Sequence, residues 1–388
     1  MNDADNRPVA DHPFPRFSDQ ELARRRRAVH DLMEEAGVGH LLVYGSDRSG
    51  SAVPWLSEWP VTREAALVIT PNGDDHLLIQ HYNHLPNARR VARGVEVDWA
   101  GPSTMSRVAQ LLPAAADQGI GVIGPLRARD HQLLSESVGE LVYLDAQYTR
   151  LRLVKSDEEI ERLREAARFS DLSVAAIIDQ LEPGMTEREL AAIVEGSYLA
   201  EGATNHIHYF ATTPMASPDT CVPAQFQSTR RIEVGDILFC EISAAYWGYA
   251  GQILRTFIIG ADPTPLFVEL HDVADDAYDA ILSVIRPGVH ARDLVNASAV
   301  IEERGFTTYD DLVHGYGGGY LPPVLGSSSR PNLPVPDLHL EQGMALVVQP
   351  NVITPDQRAG VQTGQLVVVT GSGADSLHNI DRGLGRIG

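Results

Sequence analysis

Two adjoining segments of the sequence, GDILFCEIS and WGYAGQILRTF, read as the strands of a β-hairpin and hold Glu241, Gln252 and Arg255 among apolar neighbours. A carboxylate in a buried strand costs roughly several kcal/mol unless it is paired. Glu241 is therefore expected either to form a structural ion pair with Arg255 across the hairpin or to act as a reactive acid. His314 lies in VHGYGGG; an imidazole ordinarily titrates near neutrality, and its flanking glycines permit close approach of backbone to a ligand. A carboxylate and an imidazole within hydrogen-bond reach can activate water. In NHIHYF, His206 and His208 are two residues apart and are expected on one face of a strand, either of them serving as a further proton carrier. Cys221 has no adjacent base to lower its thiol, and Cys240, beside Glu241, is expected to face the other side of the sheet as core.

Regular elements must hold these groups. Residues 1–16 are polar and contain three prolines, and are read as a flexible arm. Ser18 with Glu21 forms a capping-box pattern ahead of a helix. The run Arg24 to Arg27 is followed by Asp31, Glu34 and Glu35, which marks a solvated helix face rather than a nucleic-acid patch. The apolar runs HLLVYG, AALVIT, HLLIQ, VEVDWA, GIGVIGP and LVYLDA alternate with helix-like stretches, giving an α/β domain over residues 17–152. From residue 153 to 388, Ser156 with Glu159 and then Thr186 mark two helix starts, and strands follow. EPGMTERELAAIVE is echoed by RPGVHARDLVNASAV. Two helix pairs, each followed by strands, imply an internally duplicated domain.

The net charge of −21 would repel phosphate backbones and anionic membrane surfaces, so neither nucleic acid nor membrane is an expected partner. Two cysteines without CxxC spacing give no disulfide framework and no cysteine zinc site. No apolar run reaches the roughly 18 residues of a span, and the first twenty residues lack a signal-peptide core. The expectation is a cytoplasmic protein.

VGDILFCEISAAYWGYAGQILRTFIIG, VHGYGGGYLPP, GMALVVQPNVI and GVQTGQLVVVT resemble the creatinase, aminopeptidase P and prolidase superfamily. The resemblance implies an α/β N-terminal domain followed by an α+β pita-bread domain with internal pseudo-two-fold duplication. Its metal-dependent members hold two divalent ions with two Asp, one His and two Glu. Carried over singly, those positions are Glu241, Gln252, His314, Gln349 and Gly364 here. Hard cations need anionic oxygen, so the sequence predicts no dinuclear metal, and no cofactor is expected beyond a single weak ion on Glu241 and His314 as the alternative. The upstream histidine of creatinase falls on Ala224 and a further family histidine on Leu321. Arg63, in EWPVTREAALVIT, matches an arginine that reaches a partner's site in a homodimer and binds a carboxylate.

The resulting expectation assigns Glu241, His314 and His208 to catalysis, and Gln252, Gln349, Arg63, His206 and Tyr246 to substrate binding. It describes a metal-independent, creatinase-like hydrolase that cleaves a C–N bond of a small polar carboxylate-bearing substrate. A lyase working by proton abstraction is the runner-up, followed by a non-catalytic small-molecule-binding protein. A metal-dependent Xaa-Pro aminopeptidase is placed last.

Overall fold

The computed structural model describes residues 14–47, 49–113, 118–330 and 334–388. The chain divides into two compact units, Met1–Arg152 and Leu153–Gly388. Residues 1–13 of the expected arm lie outside the described residues. Arg16, its last residue, donates to the Arg90 carbonyl at 2.6 Å.

In the N-terminal unit each predicted apolar run is a strand: β1 (Val38–Ser46), β2 (Glu64–Ile69), β3 (His76–Ile79), β4 (Glu96–Trp99), β5 (Gly119–Ile123) and β6 (Leu141–Tyr143). They form one six-stranded sheet in the order β4-β3-β2-β1-β5-β6, antiparallel at β1/β2 and β2/β3 and parallel elsewhere. Helices α1 (Asp19–Glu35), α2 (Ala52–Ser57), α3 (Leu85–Val91) and α6 (Asp145–Leu151) pack with Leu41 and Val43 on one face. On the other, α4 (Thr104–Leu111) and α5 (Ala128–Val138) pack with Leu42 and Tyr44. Burial on both faces explains why the central strands read as continuous apolar runs.

One helix face departs from expectation. Ser18 caps α1, but the Glu21 carboxylate turns to Arg24 and Arg25. Arg25 is buried, its guanidinium 3.9 Å from the Phe17 ring centroid and bonded to the Trp55 carbonyl at 2.9 Å. The arginine run thus spans solvent and core, because a guanidinium stacks on aromatic rings while a carboxylate holds its charge.

The C-terminal unit starts with α7 (Asp157–Gln180) and α8 (Glu187–Leu199), each opened by a complete capping box, Ser156 with Glu159 and Thr186 with Glu189. Then come β7 (Thr204–Pro214), β8 (Asp236–Tyr246) and β9 (Tyr249–Ile259). The second half repeats the order with α9 (Pro265–Val284), α10 (Ala291–Ala297), α11 (Val300–Glu303) and β10 (Thr307–Thr308) to β11 (Val313–Tyr316), β12 (Tyr320–Leu325), β13 (Ala345–Val348), β14 (Val352–Ile353), β15 (Gly364–Val369), β16 (Ala374–Ser376) and β17 (Leu384–Ile387). The partner helix expected after Pro287 is broken into α10 and α11. The main sheet is nine-stranded, with the path β12-β11-β13-β15-β9-β8-β7. Helices α7 and α8 bury Leu238, Cys240, Ile242 and Ile253, while α9 to α11 bury Val313, Leu346, Val348 and Val367. Ser170 of α7 pins the helix to the hairpin, accepting from the Ala244 amide at 2.9 Å and donating to the Gly251 carbonyl. Among the described residues no helix is long and apolar enough to cross a membrane.

Candidate functional site

Side chains alternate between the faces of a strand, and the register fixes which of them meet. Glu241 lies opposite Leu254 and Tyr209, and Ser243 opposite Gln252. Gly364 also pairs with Leu254, and His314 lies opposite Val347, two residues before Gln349. Glu241, Gln252, His314, Gln349 and Gly364 therefore belong to one face, opposite the one that the helices cover. Antiparallel pairing of strands from both halves brings together residues more than 120 positions apart in sequence.

Gln252 is the hub. Its Nε2 donates to Glu241 Oε1 at 2.8 Å and to Gln349 Oε1 at 2.9 Å. The Gln349 amide is held just beyond β13, its backbone N–H donating to the Leu312 carbonyl at 2.8 Å. His314 donates from Nδ1 to the Gly315 carbonyl at 3.2 Å, which leaves a lone pair on Nε2. Its ring stacks on Tyr320 at 3.9 Å and meets the edge of Tyr316. Tyr316 in turn donates to Ser243 Oγ at 3.3 Å. Gln252 Oε1, Gln349 Nε2 and His314 Nε2 are buried without a well-formed hydrogen bond, the Gln349 amide lying close enough to His314 to act on it. Open buried polar atoms are costly, and their convergence marks a place built for something else. Behind the sheet, His378 faces Asp171 Oδ1 at 2.7 Å and the Gln252 carbonyl at 2.9 Å, fixing the strand that presents Gln252.

Burial, with the like charges of Asp310 and Asp311, pushes the Glu241 carboxyl up to about 8. Burial also pushes His314 down to about 4, so the imidazole does not titrate near neutrality as the sequence led one to expect. Both groups are uncharged at pH 7. Folding linkage then has opposite signs for the two. Between 4.5 and about 8 the folded state holds a proton on Glu241 that the unfolded chain has lost, so stability falls as pH rises. For His314 stability rises between about 4 and 6.5. Above that window only Glu241 acts. The unfolding free energy of the protein relative to its Glu241→Gln variant is expected to fall by about 1–2 kcal/mol between roughly pH 6.5 and 8. Urea titrations across that range would refute this if the difference stayed flat.

Several assignments made from the sequence require correction. His206 and His208 do not share a face, because a bulge interrupts the β7/β8 register between Asn205 and Ile207. His208 falls on the helix-covered face, 3.0 Å from Glu195 of α8 and stacked on Phe210, so it is no catalytic neighbour of Glu241. His206 turns instead toward Tyr316, with ring centroids 6.3 Å apart. Tyr246 packs on Phe169 of α7, on the face opposite the site, and is not placed to bind substrate there. Arg255 pairs with Cys240 rather than Glu241. Its guanidinium donates to the carbonyls of Gly364, Ile380 and Asp381, and burial lowers its pKa to about 10. The ion pair expected across the hairpin does not form.

Gly315, next to His314, serves the fold, since a Cβ there would lie 2.4 Å from the Pro322 carbonyl oxygen. Ala224 and Leu321 are structural, the first bonded to the Phe210 carbonyl and the second buried opposite Gly315. Arg63 belongs to the N-terminal unit, where it lines a polar pocket of about 380 Å³ with Asp47, Thr62, His81, Asn83 and His84. Its carboxylate-binding role stays a proposal.

Sequence reasoning missed Asp310, Asp311, Tyr316 and Tyr320. The two acids stand just before VHGYGGG, a legible signal, but a loop position says nothing of direction. Asp311 pairs with Arg330 at 2.7 Å, and Asp310 accepts from Asn351 at 3.3 Å.

The family resemblance implies metal ions, and the residues present do not fit a pair of them. The Gln252 amide points N–H groups, not oxygen, at the one carboxylate, and divalent cations require several anionic oxygens. Gly364 cannot carry a ligand: a Cβ there would lie 2.3 Å from the Val348 carbonyl oxygen.

A family model described as metallopeptidase family M24 matches residues 161–371, more than half of the chain. An Xaa-Pro dipeptidase of Pyrococcus furiosus is 29% identical over 250 residues, covering 64% of this chain and 69% of that protein. A probable dipeptidase PepE of Mycobacterium bovis is 31% identical over 255 residues, covering 63% and 64% respectively. Among solved structures, dipeptidase PepE from Mycobacterium ulcerans superposes with a TM-score of 0.79 at 26% identity, covering 96% of this chain and 99% of that one. An Xaa-Pro dipeptidase from Bacillus anthracis gives a TM-score of 0.80 at 21% identity, over 94% and 100%, a likeness of fold. The expected architecture, an α/β domain followed by a pita-bread domain, holds. The matches support an enzyme of the hydrolase class. They overturn the creatinase-like, metal-independent reading, together with its lyase and binding-protein alternatives: the relatives are dipeptidases. The exchanged ligand positions do not mark a change of reaction class, since the framework around them is that of a peptidase family.

Proposed function

Because the chain belongs to metallopeptidase family M24, we propose that the Glu241 site receives a short peptide of dipeptide size and hydrolyses its peptide bond. The convergence of open, buried polar atoms around Glu241 carries this reading, and the dipeptidase relatives support the substrate class. Gln349 Nε2 donates to the scissile carbonyl, where such a donor is worth roughly 3 kcal/mol to a developing oxyanion. His314 Nε2 accepts the proton of the attacking water as the C–O bond forms and delivers it to the leaving amine as the C–N bond breaks. Glu241 and Gln252 orient the peptide. Tyr320, half-exposed and stacked on His314, shields the imidazole from bulk water.

A dipeptide panel that includes Xaa-Pro sequences, assayed for free amino acids with and without added Mn²⁺, tests the proposal. Release of amino acids is expected; no release under either condition, even with measurable binding, overturns it. We further propose a cytoplasmic location, supported by the free, buried thiols of Cys221 and Cys240.

A further inference from the structure

We infer that His378 and Asp171 are a positioning pair that aims the Gln252 side-chain amide from behind the sheet and, through it, the Gln349 amide. This deepens the peptide reading above, on which its kinetic arm rests. Gln252 shares its Nε2 between acceptors from both halves of the domain, Glu241 Oε1 at 2.8 Å and Gln349 Oε1 at 2.9 Å. Hydrogen bonds weaken steeply with misalignment, so one amide reaches both acceptors only while the backbone that carries it is held still. The bond to Gln349 Oε1 also fixes which end of that second amide is left to donate.

The backbone at Gln252 is held by side chains rather than by a neighbouring strand. The β15 ladder meets β9 at Leu254 and Ile253 and ends one residue short of Gln252. There His378 Nε2 donates to the Gln252 carbonyl at 2.9 Å. A carbonyl can only accept, so Nε2 carries hydrogen. Nδ1 lies 2.7 Å from Asp171 Oδ1 and shares a second proton with that carboxyl group. Asp171 Oδ2 accepts from the Asn379 N–H at 2.8 Å, so ring and carboxyl are fixed at both ends, and both are buried. Asp171 follows Ser170 on α7, whose Oγ donates to the Gly251 carbonyl. Gly251 itself lies so close to α7 that a Cβ on it would be 2.2 Å from the Ala167 nitrogen. Two successive carbonyls of β9 are therefore anchored to two successive residues of α7, one directly and one through His378. Filling space would need no donor aimed at the Gln252 carbonyl, and an apolar side chain would avoid the cost of burying polar groups.

Full-chain variants separate the donor from the volume it fills. His378→Phe keeps a ring and loses the donor, whereas His378→Gln restores one. Asp171→Asn can donate to Nδ1 while still accepting from Asn379. Glutamine-selective ¹⁵N labelling reads the Gln252 side-chain amide directly, its signals assigned by their loss in Gln252→Met. In His378→Phe these signals are expected to move toward those of a solvated amide. The kcat for dipeptide hydrolysis should fall at least about tenfold, with KM altered less, since a misplacement of about 1 Å can cost about 10²-fold. His378→Gln and Asp171→Asn should return kcat to within about threefold of the unaltered protein. Unmoved amide signals and unchanged kcat in His378→Phe, with folding checked by circular dichroism, overturn the inference. So does a loss in His378→Gln as large as that in His378→Phe. Where His378→Phe does not fold, the ¹⁵N shifts of His378 in the unaltered protein decide: hydrogen on Nε2 upholds the pair, and a bare Nε2 overturns it. Displaced amide signals in a protein that cleaves no peptide would sink the peptidase reading and leave this one standing; cleavage with unmoved signals and unchanged kcat would do the reverse.

Discussion

Gly364→Ala is expected to destabilise the protein by about 3–5 kcal/mol, a cost of the size that overpacking and a disallowed backbone produce together. Gly364 has a φ of +152°, and its added Cβ would lie 2.3 Å from the Val348 carbonyl oxygen and 2.7 Å from Gln349 Cα. Backbone rather than a flexible side-chain tip is in the way, so nothing can yield cheaply. The Gly364 carbonyl also accepts from Arg255 at 2.9 Å, which ties any shift of β15 to a buried cation. Urea unfolding of purified variants measures the loss, and a value below about 1 kcal/mol would show that β13 and β15 can part. The same crowding has a chemical consequence. Close contact between these strands seats Gln349 within reach of Gln252, and a glutamate at position 364 would push them apart rather than restore a metal ligand.

His314→Gln should lower kcat for dipeptide hydrolysis by about 10²–10⁴-fold, the range for losing a positioned general base. Glutamine keeps a polar side chain in the space under Tyr320 but has no lone-pair nitrogen to take a proton. KM should change little, because the proposed mechanism assigns the peptide's contacts to Glu241, Gln252 and Gln349. Since burial lowers the His314 imidazole to about 4, it stays unprotonated at neutral pH, and the acid limb of kcat/KM is expected near that value rather than near 6.5. Steady-state rates from about pH 3.5 to 8 decide the matter. Unchanged kcat in the variant, or an acid limb near 6.5 in the unaltered protein, removes His314 from the chemistry.

Much of the architecture was legible because it rests on local rules. Apolar runs separated by turn residues marked all six strands of the first sheet, and Ser156 and Thr186 announced their helices through capping boxes. The mixed strand directions were not legible, since a strand buried on both faces reads the same whichever way its neighbours run. Period two placed His206 and His208 together, and one extra residue in β7 separated them. No local pattern distinguishes a bulged strand from a regular one. Arg255 was a plausible partner for Glu241 by proximity along the hairpin, but its register opposite Cys240 turns it to the other face.

The sequence by itself determined the residue types at the centre: one acid, one imidazole, two amides and a glycine, drawn from segments whose order resembles a known superfamily. It thereby determined that the donor set is poor in anionic oxygen, a matter of composition. The tertiary structure decided what those residues do to one another. Strands from two halves of the chain, paired in register, put the Gln252 amide between Glu241 and Gln349, buried His314 away from its ordinary titration range, and set Asp310 and Asp311 near Glu241. Hydrogen-bond direction, desolvation and like-charge repulsion depend on distances of a few ångströms across strands far apart in sequence, and only the packed sheet fixes those distances.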